Sequence, residues 1–161
     1  YLYDLRLATR RANLARVNEQ LQYFYGPLYS NLMLELDLFG EFKEEDSLGD
    51  GFWQNFGDNP KSEQAEAWRK WMIDVFMPIN ERNLRLVTER ADLIEEVELP
   101  KSLRLLNLHV TSYKILHDRW RSDDFSRHLP KVFFPSQINE YAADHYSRLK
   151  KEQARLLGQK I

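Results

Sequence analysis

The chain is 161 residues long, 43% hydrophobic, 13% aromatic and 30% charged, with a formal charge of −2 and a mean hydropathy of −0.62. That is enough apolar material for one buried core and too much for a disordered chain, while the near-neutral balance gives no global electrostatic case for nucleic acid. With no cysteine, disulfides, thiolate metal sites and a cysteine nucleophile are excluded, and no apolar run reaches the roughly 18 to 20 residues that span a bilayer.

In the first segment Leu14, Val17, Leu21, Phe24 and Leu28 recur at steps of three and four, and the stripe keeps its phase across Gly26-Pro27. One helix over about 2–39 is therefore predicted. Proline removes the bond to the Tyr23 carbonyl and crowds it, which predicts a kink; the alternative is a break, with Pro27 opening a second helix. Residues 40–59, rich in glycine and acid, read as a long loop whose Phe42, Phe52, Trp53 and Phe56 fold back onto the molecule. Asn59-Pro60, as N-cap and first-turn proline, opens a helix over 60–94 with Ala65, Trp68, Met72, Val75 and Ile79 on its stripe and Pro78 inside it.

A third helix over 100–121 carries Leu103, Leu106, Val110, Tyr113, His117 and Trp120 on one face. A fourth over 135–158 carries Ile138, Ala142, His145, Leu149 and Leu156, with Gly158 as its stop. Strand-like alternation is absent. The expected fold is all-α: a single domain, 1–161, forming an antiparallel up-down-up-down four-helix bundle with two long proline-kinked helices and two shorter ones. The long pair must project past the short pair, and Trp53, Trp68, Trp71 and Trp120 gather toward that end.

The histidines make no metal site. His109 and His117 are eight apart on one helix, about 12 Å along its axis, too far to share an ion, and no Glu-X-X-His or His-Glu-X-X-His occurs. Counting heights along the helices instead puts Arg82, His145, Tyr113 and Glu19 or Asn18 near one level. This predicts a polar layer in which a buried Arg82 must be paired. It is either a register-fixing network or a small-ligand pocket. Nothing supplies a nucleophile with its base, or a phosphate loop, so the residues make no positive case for an enzyme or a cofactor.

Residues 1–16 carry a balance of +3 and residues 148–161 one of +4, and an up-down-up-down bundle brings both to one end. Arg6, Arg10, Arg11, Lys150 and Lys151 are the candidates there for facing a partner or a membrane. Tyr1 and Tyr3 before an arginine cluster form the pattern expected on the cytoplasmic side of a membrane span, and a chain that starts inside a helical pattern predicts residues upstream.

The strings "LQYFYGPLYSNL", "WRKWMIDVFMPINERNLRLVTERADLIE", "LPKSLRLLNLHVTSYKILHDRW" and "DFSRHLPKVFFPSQINEYAADHYSRLKKEQARLLG" resemble an uncharacterised family of bacterial helical proteins, over nearly the whole chain outside the 40–59 loop. The resemblance implies a hydrophobic helix ahead of an "LYGPL"-type segment, hence a membrane anchor. It carries no activity and transfers no catalytic residue.

The reading that follows is a non-enzymatic interaction or signalling domain on the cytoplasmic face of the inner membrane, itself soluble, tethered by an upstream helix and binding another protein. A rival is a small-molecule sensor or enzyme using Arg82, Tyr113 and His145; another is nucleic-acid binding through the basic C-terminal helix, disfavoured by the net charge. A homodimer through the first two helices stays open. An organised pocket with convergent polar groups favours the sensor, and a dry, satisfied layer favours the tether.

Overall fold

The computed structural model describes residues 1–45, 48, 49 and 51–158, and among them it is all-helical, without a strand. The first helix runs from α1 (Leu2–Gln20) through a wide turn at Leu21–Tyr25 into α2 (Gly26–Glu45). The second runs from α3 (Glu63–Trp71) through a wide turn at Met72–Phe76 into α4 (Met77–Glu89). α5 (Lys101–Arg121) and α6 (Gln137–Leu157) are the third and fourth. They pack in a closed ring: α2 on α4, α4 on α5, α5 on α6, and α6 back on α1 and α2.

The Gly-Pro pair neither stops the helix nor opens a new one. Leu21–Tyr25 is a π turn, in which the Gly26 N–H bonds the carbonyl of Leu21, five residues back, with helical dihedrals on both sides. The extra residue widens the turn that the proline ring would otherwise crowd. The same device precedes Pro78: Met72–Phe76 is a π turn and Met77 N–H bonds Met72 O. Each wide turn presents two adjacent side chains to the core, Phe24 with Tyr25, both 0% exposed, and Phe76 with Met77, 3% and 4%.

Several expected boundaries move. α2 continues to Glu45, six residues into the expected loop, because Phe42 is buried and extends the stripe. Past it, Gly51 at φ +73° opens a 3₁₀ turn at Phe52–Phe56, whose Phe52 and Phe56 are buried as expected; residues 46, 47 and 50 of that loop lie outside the described ones. The second helix begins at Glu63 rather than Pro60, because Ser62, in extended backbone, takes the cap: its Oγ accepts from Ala65 N–H at 3.2 Å. It ends at Glu89, before a 3₁₀ turn at Ala91–Leu93. Gly158, at φ +75°, does close α6.

The core divides in two. One cluster, with Leu28, Leu32, Val87, Leu106, Val110 and Ile138 among its members, lies toward the termini. The other is aromatic, built on Phe42, Phe52, Phe56, Trp68, Phe76 and Trp120, with Trp53 and Trp71 packed against it, so the four tryptophans do gather. Along α2 the seam between the clusters falls at Glu35, between Leu32 and Phe42, and along α4 at Asn80 and Asn83, between Met77 and Val87.

Candidate ligand-binding site

At that seam lies a cavity of about 350 Å³. α2 contributes Glu35 and Phe39, the π turn ahead of Pro78 contributes Met72 and Phe76, α4 Asn80, α5 His109 and Tyr113, and α6 Asn139; Trp53, Trp68, Pro130 and Phe134 complete the walls. Leu36 and Phe133, 53% and 69% exposed, stand at its rim. The volume and the mostly apolar lining with a few polar groups are those of a small-molecule site.

Asn80 donates from Nδ2 to Glu35 Oε1 at 2.6 Å, leaving Glu35 Oε2 and Asn80 Oδ1 buried without a protein partner. Alongside, Asn31 Nδ2 donates to Asn83 Oδ1 at 2.9 Å. His109 Nδ1 bonds the Val132 carbonyl at 2.7 Å, which makes that nitrogen the donor and leaves Nε2 as the acceptor. Asn139 Oδ1 is buried and unpartnered too. Each such atom costs about 1–3 kcal/mol when nothing satisfies it, so a cluster of them at one cavity is a cost that packing alone does not explain.

The titrating groups respond to this setting. Burial pushes the Glu35 carboxyl up to about 7, against the opposing hydrogen bond from Asn80. Burial also raises the Tyr113 hydroxyl, with the nearby Glu35 charge adding to it, and lowers His109 against the pull of the Val132 carbonyl. Among the described residues lining the cavity there is no lysine or arginine.

Of the residues that the sequence groups at one level, most lie away from this cavity. Arg82 is exposed, and so is Glu19. Asn80 and Asn83 take the inward face of α4, and a residue two positions from Asn80 sits 200° around the helix, on the solvent side. Of the four candidates only Tyr113, 3% exposed, reaches the cavity. His145 lies elsewhere, with Nε2 2.7 Å from Glu96 and its ring stacked on Tyr25 at 5.0 Å. There Tyr141 bonds Glu96 at 2.9 Å, the Tyr25 hydroxyl accepts from Glu95 N–H at 3.0 Å, and Arg148 pairs with Glu95. This network pins Glu95 and Glu96, in the segment between α4 and α5, to α6 and to the first π turn.

The buried arginine is Arg69, 8% exposed. It donates to Pro60 O at 2.6 Å, meets His128 Nε2 at 2.8 Å and lies over the Phe125 ring at 4.1 Å, tying the loops that cap the aromatic end. Arg82→Ala should accordingly change unfolding free energy by less than about 0.5 kcal/mol, and Arg69→Ala should lower it by about 2 kcal/mol. Urea denaturation of both variants checks the pair, and equal costs would contradict this placement.

At the terminal end Arg10 is committed to a carbonyl, donating to Leu156 O at 2.7 Å, and Lys150 bonds Gln153 at 2.9 Å. Arg6, Arg11 and Lys151 are exposed, as are Tyr1, Leu2, Tyr3 and Leu5; Lys160 lies outside the described residues. Among the described residues no helix is long and apolar enough to cross a membrane, and no group of three or more histidines and acids could hold a metal ion.

The residues that reading the sequence missed had a signal. Leu28, Leu32, Glu35, Phe39 and Phe42 step by four, three, four and three, so Glu35 is an acid in phase with an apolar stripe. Asn80 and Asn83 sit the same way between Phe76 and Val87. No family model, curated protein or solved structure matches the chain.

Proposed function

We propose that the chain is a small-molecule-binding domain, an antiparallel four-helix bundle bent at its two prolines, whose ligand occupies the cavity between the two halves of the core. The observation that carries it is the convergence of unpartnered polar atoms of Glu35, Asn80 and Asn139 on one apolar-walled cavity. The π turn ahead of Pro78 supports it, since its Met72 and Phe76 form part of the wall, and such turns recur at functional sites. Signalling would follow if ligand binding shifted the two halves, the aromatic end against the terminal end.

The test uses a neutral apolar dye, N-phenyl-1-naphthylamine, titrated against the protein. One saturable site with enhanced emission is expected, and Leu36→Trp, at the exposed rim, should weaken it at least tenfold by filling the mouth. Dye binding that the variant leaves unchanged would remove this reading, as would failure of the dye together with phenylalkyl ligands of similar size.

A second reading, an interaction domain whose basic end meets a membrane, is favoured by exposed Tyr1, Leu2, Tyr3 and Leu5 beside Arg6 and Arg11. Salt-sensitive co-sedimentation with anionic vesicles, lost on Arg6→Glu with Arg11→Glu, would support it.

A further inference from the structure

The buried polar atoms left unpartnered among the described residues of the lining are all oxygens. Glu35 Oε2 and Asn80 Oδ1 are buried without partners. Asn80 cannot turn its amide round to hide that oxygen, because Nδ2 donates to Glu35 Oε1. His109 cannot present an N–H at Nε2, because its Nδ1 faces the Val132 carbonyl. Above about pH 7, where Glu35 is ionised, three acceptors held by their own bonds thus belong to the lining, together with Asn139 Oδ1. The donors in the lining are the hydroxyls of Tyr113 and Ser136, the indole N–H of Trp53 and the amide of Asn139, all of them neutral, and no lysine or arginine is among the described residues that line the space. An anionic group would meet a carboxylate there with no countercharge, and a purely apolar ligand would leave the acceptors buried and unpaired.

We infer that the cavity binds a primary amine with an aromatic or alkyl body, its ammonium held by Glu35 and Asn80 and its body lying among Phe39, Trp53, Phe76 and Phe134. An ammonium brings three donors and a charge, matching one carboxylate oxygen, Glu35 Oε2, and one amide oxygen, Asn80 Oδ1, that have no donor. Aromatic faces around the charge add attraction, strongest where water is excluded. The difficulty of ionising Glu35 in the unliganded cavity is the complement of this: the buried carboxylate lacks a countercharge, and the ligand carries it. This inference rests on the cavity being a ligand site and adds the class of the ligand.

Three ligands of matched size separate the two levels: 4-phenylbutylamine, 4-phenyl-1-butanol and 4-phenylbutyrate, each titrated calorimetrically at pH 8 and used to displace N-phenyl-1-naphthylamine. The amine should bind about tenfold or more tighter than the alcohol, the gain of one charge-assisted contact, and the carboxylate weakest. In Glu35→Gln the amine and the alcohol should converge to within about twofold while the alcohol and the dye still bind. Alcohol and dye binding without a preference for the amine would overturn the ligand class and leave the site standing, as would an amine preference that survives Glu35→Gln. Failure of all three ligands and of the dye would overturn the site itself. The wild-type series decides between amine and carboxylate even if the variant does not fold.

Discussion

Gly26→Ala is expected to lower unfolding free energy by about 3 kcal/mol, although glycine-to-alanine within a helix ordinarily raises it. A Cβ at Gly26 would lie 2.2 Å from the carbonyl oxygen of Leu21. That oxygen cannot step aside, because it belongs to the backbone of the π turn and accepts the Gly26 N–H. Relieving the overlap means unwinding the wide turn, which returns the Pro27 ring to the carbonyl it avoids and disturbs Phe24 and Tyr25, both fully buried. Gly40 supplies the control: it lies in α2, and a Cβ there would meet nothing within 4 Å, so Gly40→Ala should stabilise by about 0.5–1 kcal/mol. Urea midpoints of the two variants should move in opposite directions. If both move upward, Gly26 is an ordinary helical glycine and the close approach does not exist.

Stability should fall by about 3 kcal/mol on account of Glu35 as pH rises from about 4.5 to above 7. Its carboxyl is pushed up to about 7 by burial, from an ordinary value of 4.5. Across that window the folded state holds a proton that the unfolded state has released, so each rise in pH favours unfolding. Below the ordinary value the contribution is whole, and above about 7 it is gone. Asn80 from α4 bonds the carboxyl, and His109 and Tyr113 from α5 line the same cavity. His109 works in the opposite sense: burial lowers its value, so protonation favours the unfolded state and stability rises with pH through its ordinary range. Comparing wild type with Glu35→Gln isolates the carboxyl, since the amide keeps an oxygen for Asn80 and cannot ionise. The two should match near pH 4, and the variant should be more stable by about 2–3 kcal/mol at pH 8. Parallel profiles across the range would mean that Glu35 is solvated.

These two residues mark how far the sequence could be read. Periodicity located four helices, because a 3.6-residue repeat is a local property that neighbouring rods do not alter. It also put the tryptophans in one cluster and Gly158 at a stop. The phase shift at the wide turns went unseen, although "FYGP" and "FMP" each place two adjacent apolar residues before the proline, the mark of a turn with one residue too many. The polar layer was expected at Arg82 and Glu19, both exposed, because heights were counted along the rods without fixing which way each residue faces. Ser62 likewise outranked Asn59 as a cap through its own backbone conformation.

The sequence by itself determined the class of fold, the helical stripes and the position of the last helix stop, all of them set by contacts within a few residues along the chain; the aromatic end followed from helix lengths and the order of the helices. Tertiary structure alone decided which polar groups meet: Glu35 with Asn80, Arg69 with His128, His145 with Glu96. The physical reason is angular. Each residue turns a helix by 100°, so one residue of uncertainty in register, or one added in a π turn, exchanges a buried partner for a solvated one.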